Sequence, residues 1–293
     1  MTPSAEAQKL NEILSSGPKA VEMTLGDQRA AGEHQEDLTT EPAGVTYEDV
    51  AELGGYWAMP DGVEPRGAVL YLYGGGYVIS SPDSRRKTAG HIATASGTRV
   101  LVPRYRLAPE HPFPAALEDA AAAIGWLAEH DFPAENLVIA GGSSAGGLAL
   151  ATLLKLRDDG APLPAGAVAV SPWTDLACTG ESLNHNNDLS VTKSALLRMA
   201  SQYLGGRDSK NPLASPLYGD LTGLPPLLVI VGGDEALLDD SVRFVRQAAI
   251  AGVDATLRVG AGMQHIYPVY AGFMPEADAA IAEIGAFIAV RLA

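Results

Sequence analysis

Short apolar runs alternate with longer amphipathic segments along most of this chain. The runs are rich in Val, Leu and Ile with Gly or Pro close by, and they predict strands at 68–73, 99–105, 137–141, 167–171, 227–231 and 255–259. Helical spacing between and after them predicts helices at 113–130, 144–158, 239–251 and 275–292. Strand–helix alternation is typical of a mostly parallel sheet covered by helices on both faces, so we expect an α/β fold.

Two segments contain no apolar run of this kind. Residues 1–45 predict two helices separated by a Gly17-Pro18 stop, and residues 176–222 contain a helix over 190–204 that ends at Gly205-Gly206. We expect both segments to pack together as a discontinuous helical cap, the alternative being peripheral decoration. The remaining residues then form the core, with the bounds 46–175 and 223–293.

Composition narrows the class of protein. The 293 residues are 47% hydrophobic and 19% charged, which excludes a disordered chain. A net charge of −15 opposes binding to nucleic acid and to anionic membranes. Cys178 is the single cysteine, and residues 1–14 do not resemble a signal peptide, so we expect a cytoplasmic protein. The uncharged stretch 137–154 is interrupted by glycines and serines, which favours a buried strand–turn–helix over a membrane span.

That stretch contains the sharpest motif. Gly142-Ser143-Ser144-Ala145-Gly146 follows an apolar strand and opens an apolar helix, the context of a G-x-S-x-G nucleophile elbow. A serine there sits on a tight turn whose glycines avoid collisions of a Cβ with neighbouring backbone. A phosphate-binding loop is disfavoured because neither G-x-G-x-x-G nor G-x-x-x-x-G-K-[ST] occurs there. Ser144 is therefore the candidate nucleophile.

A serine nucleophile needs a base and an acid that orients the base. In this kind of fold they follow in the order Ser, acid, His. Of the histidines only His185 and His265 follow the elbow; His185 lies in the expected cap, whereas His265 lies in a loop after a late strand. The candidate acid is Asp234, at the end of the preceding strand, with Glu235 as its closest alternative.

Candidates for the oxyanion hole and the substrate pocket are suggested by their positions along the chain. Tyr73-Gly74-Gly75-Gly76 ends the first predicted strand, and we expect the N–H groups of Gly75, Gly76 and Ala145 to form an oxyanion hole. Candidates for the substrate pocket, each of which could instead be a core residue, are Tyr77, Trp173, Met199, Tyr203 and Ile266.

Several of these motifs, in this order, resemble the bacterial hormone-sensitive-lipase-like esterases, family IV of the α/β-hydrolase superfamily. The resemblance extends from about residue 68 to 286 and rests on YGGGY at 73–77, YRLAPEH at 105–111, GSSAGG at 142–147, SPWTD at 171–175 and Gly233-Asp234. It implies the α/β-hydrolase fold, a helical cap, the triad Ser144, Asp234 and His265, and a homodimer as a common assembly. Three positions depart from the family: Tyr73 replaces the usual His, Ser143 the usual Asp, and Arg104 a frequent acidic residue.

These observations predict a serine carboxylesterase that hydrolyses small to medium neutral esters through an acyl-enzyme. The chemistry needs no metal or organic cofactor, and no metal-ligand spacing is found in the sequence. A lactonase or amidase could use the same triad. A non-catalytic receptor on the same fold is the other alternative, but the gibberellin receptor lacks the catalytic His, and His265 is present here.

Overall fold

Eight strands form a single sheet in the computed structural model, which describes residues 2–16, 23–64 and 66–293. The strand order is β1-β2-β4-β3-β5-β6-β7-β8; β2 runs antiparallel to β1 and β4, and all other neighbours are parallel. The predicted α/β class and mostly parallel sheet are confirmed. The strands are β1 (Val45–Val50), β2 (Gly55–Pro60), β3 (Ala68–Leu72), β4 (Arg99–Val102), β5 (Leu137–Gly142), β6 (Gly166–Val170), β7 (Leu227–Gly232) and β8 (Ala255–Gly260).

Burial explains which strands the hydrophobic pattern predicted. Every residue of β3, β5, β6 and β7 is buried, as expected for central parallel strands between two helical layers. β4 ends at Val102, earlier than predicted, because Pro103 cannot donate to a sheet. The β1–β2 hairpin was missed, since β1 lies at the sheet edge and is largely polar and exposed.

Helices cover the sheet in pairs. Helix α3 packs on α8, α4 packs on α5, and α7 packs against β7 and β8. The predicted helices are confirmed to within two residues at either end, apart from the start of the cap helix, whereas α3 was missed because Gly90 and polar residues obscure its periodicity. The helices are α1 (Ala5–Ser16), α2 (Leu25–Gly32), α3 (Arg86–Ser96), α4 (Ala115–Glu129), α5 (Ser144–Asp158), α6 (Lys193–Leu204), α7 (Leu238–Ile250) and α8 (Pro275–Arg291). None of them, within the described ranges, is long and apolar enough to cross a membrane.

The two expected cap segments contribute helices and 3-10 turns but almost no strand. Helix α6 begins at Lys193 rather than Ser190, with the Thr192 side chain accepting the N–H of Ala195. It ends at Gly205, whose φ of 56° suits a residue without a side chain, as predicted. The predicted Gly17-Pro18 stop lies outside the described residues.

A buried carboxyl group joins helix α7 to the segment after β6. Asp240 is fully buried, and its Oδ2 accepts the N–H groups of Thr174 and Asp175, each at 2.8 Å. Burial, reinforced by the charge of Asp175, raises the pKa of Asp240 to about 8. The free aspartate pKa is about 3.9. The folded protein therefore holds this proton more tightly than the unfolded chain, and the stability it contributes is lost as pH rises from about 4 to about 8.

We predict that Asp240→Asn removes this pH dependence. The amide oxygen still accepts both N–H groups but does not titrate, so the variant should gain stability relative to wild type as pH rises from about 5 to about 8, by at most about 1.4 kcal/mol per pH unit. Urea unfolding at a series of pH values measures the difference. Asp239→Asn, a partly exposed neighbour, is the control, and parallel curves for wild type and Asp240→Asn would contradict the prediction.

Candidate active site

The turn between β5 and α5 falls on Ser143. This residue has φ 57° and ψ −127°, a conformation that costs a residue with a side chain free energy. Backbone hydrogen bonds hold it: its N–H donates to Val170 at 2.8 Å, and its carbonyl accepts the N–H of Trp173 at 3.0 Å. A side chain at Gly141 would collide with Ala145, so the glycine two residues before the turn is required.

His265 connects this serine to a carboxylate. Its Nε2 lies 3.0 Å from Ser143 Oγ, and its Nδ1 lies 3.2 Å from Glu235 Oε2. Ser143 is partly exposed, whereas His265 is 7% exposed and Glu235 is 1% exposed. The arrangement is a reachable hydroxyl, an imidazole and a buried carboxylate in one line of contacts.

The structure brings Ser143, and not the predicted nucleophile Ser144, into contact with His265. Strand β5 ends at Gly142 and helix α5 begins at Ser144, so the single residue between them, Ser143, occupies the turn instead of the serine that the G-x-S-x-G pattern indicated. Ser144 is instead the first residue of α5; it is 0% exposed, and its Oγ accepts the N–H of Tyr77 at 3.3 Å. The sequence signal that could have identified Ser143 is the Gly141-Gly142 pair directly before it, followed by a small Ala145.

The carboxylate that contacts His265 also lies one residue from the predicted acid. The backbone of Asp234 makes two hydrogen bonds to neighbouring loops. Its N–H donates to the Met263 carbonyl and its carbonyl accepts the N–H of Asn187, each at 3.1 Å. Its side chain is not in hydrogen-bond contact with His265. The next side chain along this turn points inward, so Glu235, the alternative that the sequence left open, makes the contact.

Burial and charge act in opposite directions on His265. Burial lowers the pKa of the imidazole, but the hydrogen bond and negative charge of Glu235 outweigh it, and the pKa is raised above the usual histidine value. Asp188 adds to this effect, and its Oδ2 accepts the N–H of Ala236, next to Glu235, at 2.9 Å. Within the described residues, no three His, Cys, Asp or Glu side chains are grouped so that they could hold a metal ion.

Tyr73, at the position where histidine is usual, is locked to Tyr105. Its hydroxyl donates to the Tyr105 carbonyl at 3.1 Å and accepts the Tyr105 N–H at 3.2 Å. The Tyr105 hydroxyl donates in return to the Tyr73 carbonyl, and the two rings are stacked with centroids 4.2 Å apart. The Tyr73 phenol thus fixes the start of the glycine loop through its two hydrogen bonds to the backbone of Tyr105.

The glycine loop lies against the elbow. A Cβ on Gly74 would come 3.3 Å from that of Ser143, and Gly75 and Gly76 have φ of 139° and 62°, which favour glycine. No acceptor is found among the described residues for the N–H groups of Gly75 and Gly76, or for that of Ser144 at the start of α5. Because the turn falls on Ser143, the amide next to it belongs to Ser144 rather than to the predicted Ala145.

The five pocket candidates separate into two groups. Tyr77, Trp173 and Tyr203 are each 1% exposed and form a packed aromatic wall, in which the rings of Tyr77 and Tyr203 stack at 3.7 Å. Met199 and Ile266 are partly exposed. Met199 lies over Gly76, in the space that a side chain there would need, and Ile266 lines a small cavity beside Gly142.

A serine on a strand–helix turn, linked to a histidine and a carboxylate that follow later strands, is the arrangement of an α/β-hydrolase. Residues 69–269 match the family described as having the α/β hydrolase fold. The chain is 45% identical to an acetyl-hydrolase of Streptomyces hygroscopicus over 84% of this chain and 83% of that one. It is 34% identical to an esterase of Acinetobacter venetianus over 75% and 73% of the two chains.

Solved structures agree with these relatives. An esterase from the bacterial hormone-sensitive lipase family is 41% identical and superposes with a TM-score of 0.94 over 100% of both chains. A hormone-sensitive lipase from a metagenome library is 35% identical with a TM-score of 0.92, again over 100% of both. The chain belongs to the α/β-hydrolase family and, within it, to the hormone-sensitive-lipase-like esterases.

The contact between His265 and Glu235 predicts the effect of removing the carboxylate charge. In Glu235→Gln the burial of the imidazole remains and the negative charge is lost, so the pKa of His265 should fall below its wild-type value. NMR titration of the imidazole measures it. The matched control is Asp234→Asn, which should leave the pKa of His265 in place; a larger fall in this control than in Glu235→Gln would contradict the assignment.

The Tyr73–Tyr105 pair predicts a second effect. Tyr73→Phe keeps the stacked rings but removes both hydroxyl contacts, so the free energy of unfolding should fall by about 1–3 kcal/mol. Because the glycine loop is then held less firmly, kcat for ester hydrolysis should fall more than KM rises. Tyr71→Phe, at a buried tyrosine of β3 two residues before Tyr73, is the control. Kinetics equal to wild type would show that the Tyr73 hydroxyl does not support the loop.

Proposed function

We propose that this protein is a serine carboxylesterase in which Ser143 is the nucleophile, His265 the general base and Glu235 the residue that orients His265. The observation that carries the proposal is the placement of His265 between Ser143 Oγ and Glu235 Oε2, at 3.0 and 3.2 Å. The exposure of Ser143 and the burial of Ser144 support the same assignment, because a nucleophile must reach its substrate.

The proposed reaction proceeds through an acyl-enzyme. His265 takes the proton of Ser143 as Oγ attacks the ester carbonyl, and Glu235 stabilises the imidazolium that forms. The N–H groups of Gly75, Gly76 and Ser144 stabilise the oxyanion, and the start of helix α5 favours the same negative charge. His265 then protonates the leaving alkoxide, and a water molecule activated by His265 releases the acid.

The substrates we propose are small to medium neutral carboxylic esters. The rings of Tyr77, Trp173 and Tyr203 are buried and packed on one another, so they would form a rigid boundary of the acyl pocket. The net charge of −15 disfavours strongly anionic substrates. The similarity to an acetyl-hydrolase points toward the short end of this range.

Residues 1–45 and 176–222 are proposed to form the cap over this site. Met199 of helix α6 lies over Gly76 of the glycine loop. The loop before α6 is tied to the histidine loop, because Gln264 accepts the N–H of Leu189 at 2.9 Å and donates to the carbonyl of Asn187 at 3.3 Å. A cap in this position would limit the size of the bound ester.

Hydrolysis of p-nitrophenyl esters of increasing acyl length tests the proposal. We predict activity that falls with chain length, and a fall in kcat of at least about 10⁴-fold in Ser143→Ala, because the nucleophile is lost. Folding of the variant is checked by its thermal unfolding.

Ser144→Ala is the matched control for the position of the nucleophile. A fluorophosphonate probe should label wild type and Ser144→Ala but not Ser143→Ala, with tandem mass spectrometry locating the adduct on Ser143. Undiminished hydrolysis by Ser143→Ala, or an adduct on Ser144, would overturn the assignment. A folded wild type without activity on any ester would overturn the proposed function itself.

A further inference from the structure

The hydroxyl of Ser144 is a buried polar group that the proposed reaction leaves unused. Ser144 is 0% exposed at the first position of α5, directly after the proposed nucleophile. Its Oγ accepts the N–H of Tyr77 at 3.3 Å. Tyr77 follows the last glycine of the loop that carries the proposed oxyanion donors Gly75 and Gly76.

The other hydrogen bonds of the glycine loop are made within the loop or to elements other than the elbow helix. The N–H groups of Val78 and Ile79 both donate to the Gly75 carbonyl at 3.0 Å, forming a tight turn. The Tyr77 carbonyl accepts the N–H of Ala108 at 2.9 Å, and Arg29 donates to the Val78 carbonyl at 3.0 Å. Across the described part of the chain, the bond from Tyr77 to Ser144 is the only hydrogen bond between residues 74–79 and the elbow helix.

The backbone at Tyr77 adopts a conformation that other contacts must hold in place. Its φ of 65° lies in the left-handed region, which costs free energy for a large aromatic residue. Stacking of its ring on Tyr203 fixes the side chain, but only the bond to Ser144 Oγ fixes its N–H. An unpaired N–H here would be buried away from water, so removal of the acceptor leaves a penalty that the loop can relieve only by moving.

We propose that Ser144 is a positioning residue of the oxyanion hole. It contributes one donor directly, through its own N–H. Its hydroxyl also holds the N–H of Tyr77, so that the N–H groups of Gly75 and Gly76 stay directed at the oxyanion that forms beside Ser143. A single side chain thus aligns the two elements that supply the donors. The inference rests on the proposed function, since it concerns the transition state for attack by Ser143.

Ser144→Ala tests the inference, because it removes the hydroxyl and keeps the backbone N–H. We expect kcat to fall about tenfold, as for the loss of one hydrogen bond expressed in the transition state, with KM changed less than about twofold. Affinity for an alkyl trifluoromethyl ketone, which forms a tetrahedral adduct with the nucleophile, should fall by about the same factor as kcat. The acidic limb of the pH profile should not move, because the contacts of His265 are intact. Ser144→Cys, with a weakly accepting sulfur, should give an intermediate kcat.

Thr152→Val provides the control for a lost buried hydroxyl. Thr152 lies in the same helix, is also 0% exposed and donates to the Leu148 carbonyl at 2.8 Å, so its replacement should leave kcat and inhibitor affinity unchanged. Wild-type kcat in Ser144→Ala would overturn the inference. Equal losses of kcat in Ser144→Ala and Thr152→Val, in proportion to their losses of thermal stability, would overturn it as well. A folded Ser144→Ala that no longer reacts with a fluorophosphonate would instead show that Ser144 is the nucleophile, and would overturn the proposed assignment of Ser143 as well.

Discussion

The strained turn at Ser143 is the constraint on which the rest of the site depends. A strand that is buried along its whole length must change abruptly into a helix, and the change is compressed into one residue with a positive φ. The bonds to Val170 and Trp173 come from the neighbouring strand and the segment after it, so the sheet itself supplies the free energy that keeps the turn in place. Side chains elsewhere in the site are positioned relative to this fixed point.

The succession of strands and helices in the core could be predicted because the central strands are apolar at every position. That pattern identified the buried strands from β3 to β7, whereas β8, at the sheet edge, alternates apolar with polar residues. The acid candidates follow β7, and His265 follows β8. The pattern could not predict β1, which is largely polar and exposed at the sheet edge, or β2, whose apolar run from Tyr56 to Met59 is only four residues long. The short helix α3 escaped for a related reason: Gly90 replaces a side chain where the helix closely approaches Tyr47 and Pro42.

The predicted serine and the predicted acid each lie one residue from the side chains that contact His265. Ser143 and Ser144 are chemically equivalent, and only the end of β5 decides which of them occupies the turn. Asp234 and Glu235 are similarly adjacent, and the direction of each side chain depends on tertiary hydrogen bonds to Met263 and Asn187. Contacts of this kind lie far apart in sequence, so a motif of five residues contains no information about them.

The carboxylate of Asp188 is shared between two parts of the molecule. One oxygen accepts the N–H groups of Ser190 and Val191 ahead of α6, while the other accepts the N–H of Ala236, the residue after Glu235. The same charge raises the pKa of His265. The conformation of the 184–191 loop and the proton affinity of the imidazole are therefore linked equilibria, and by reciprocity protonation of His265 must change the stability of that loop.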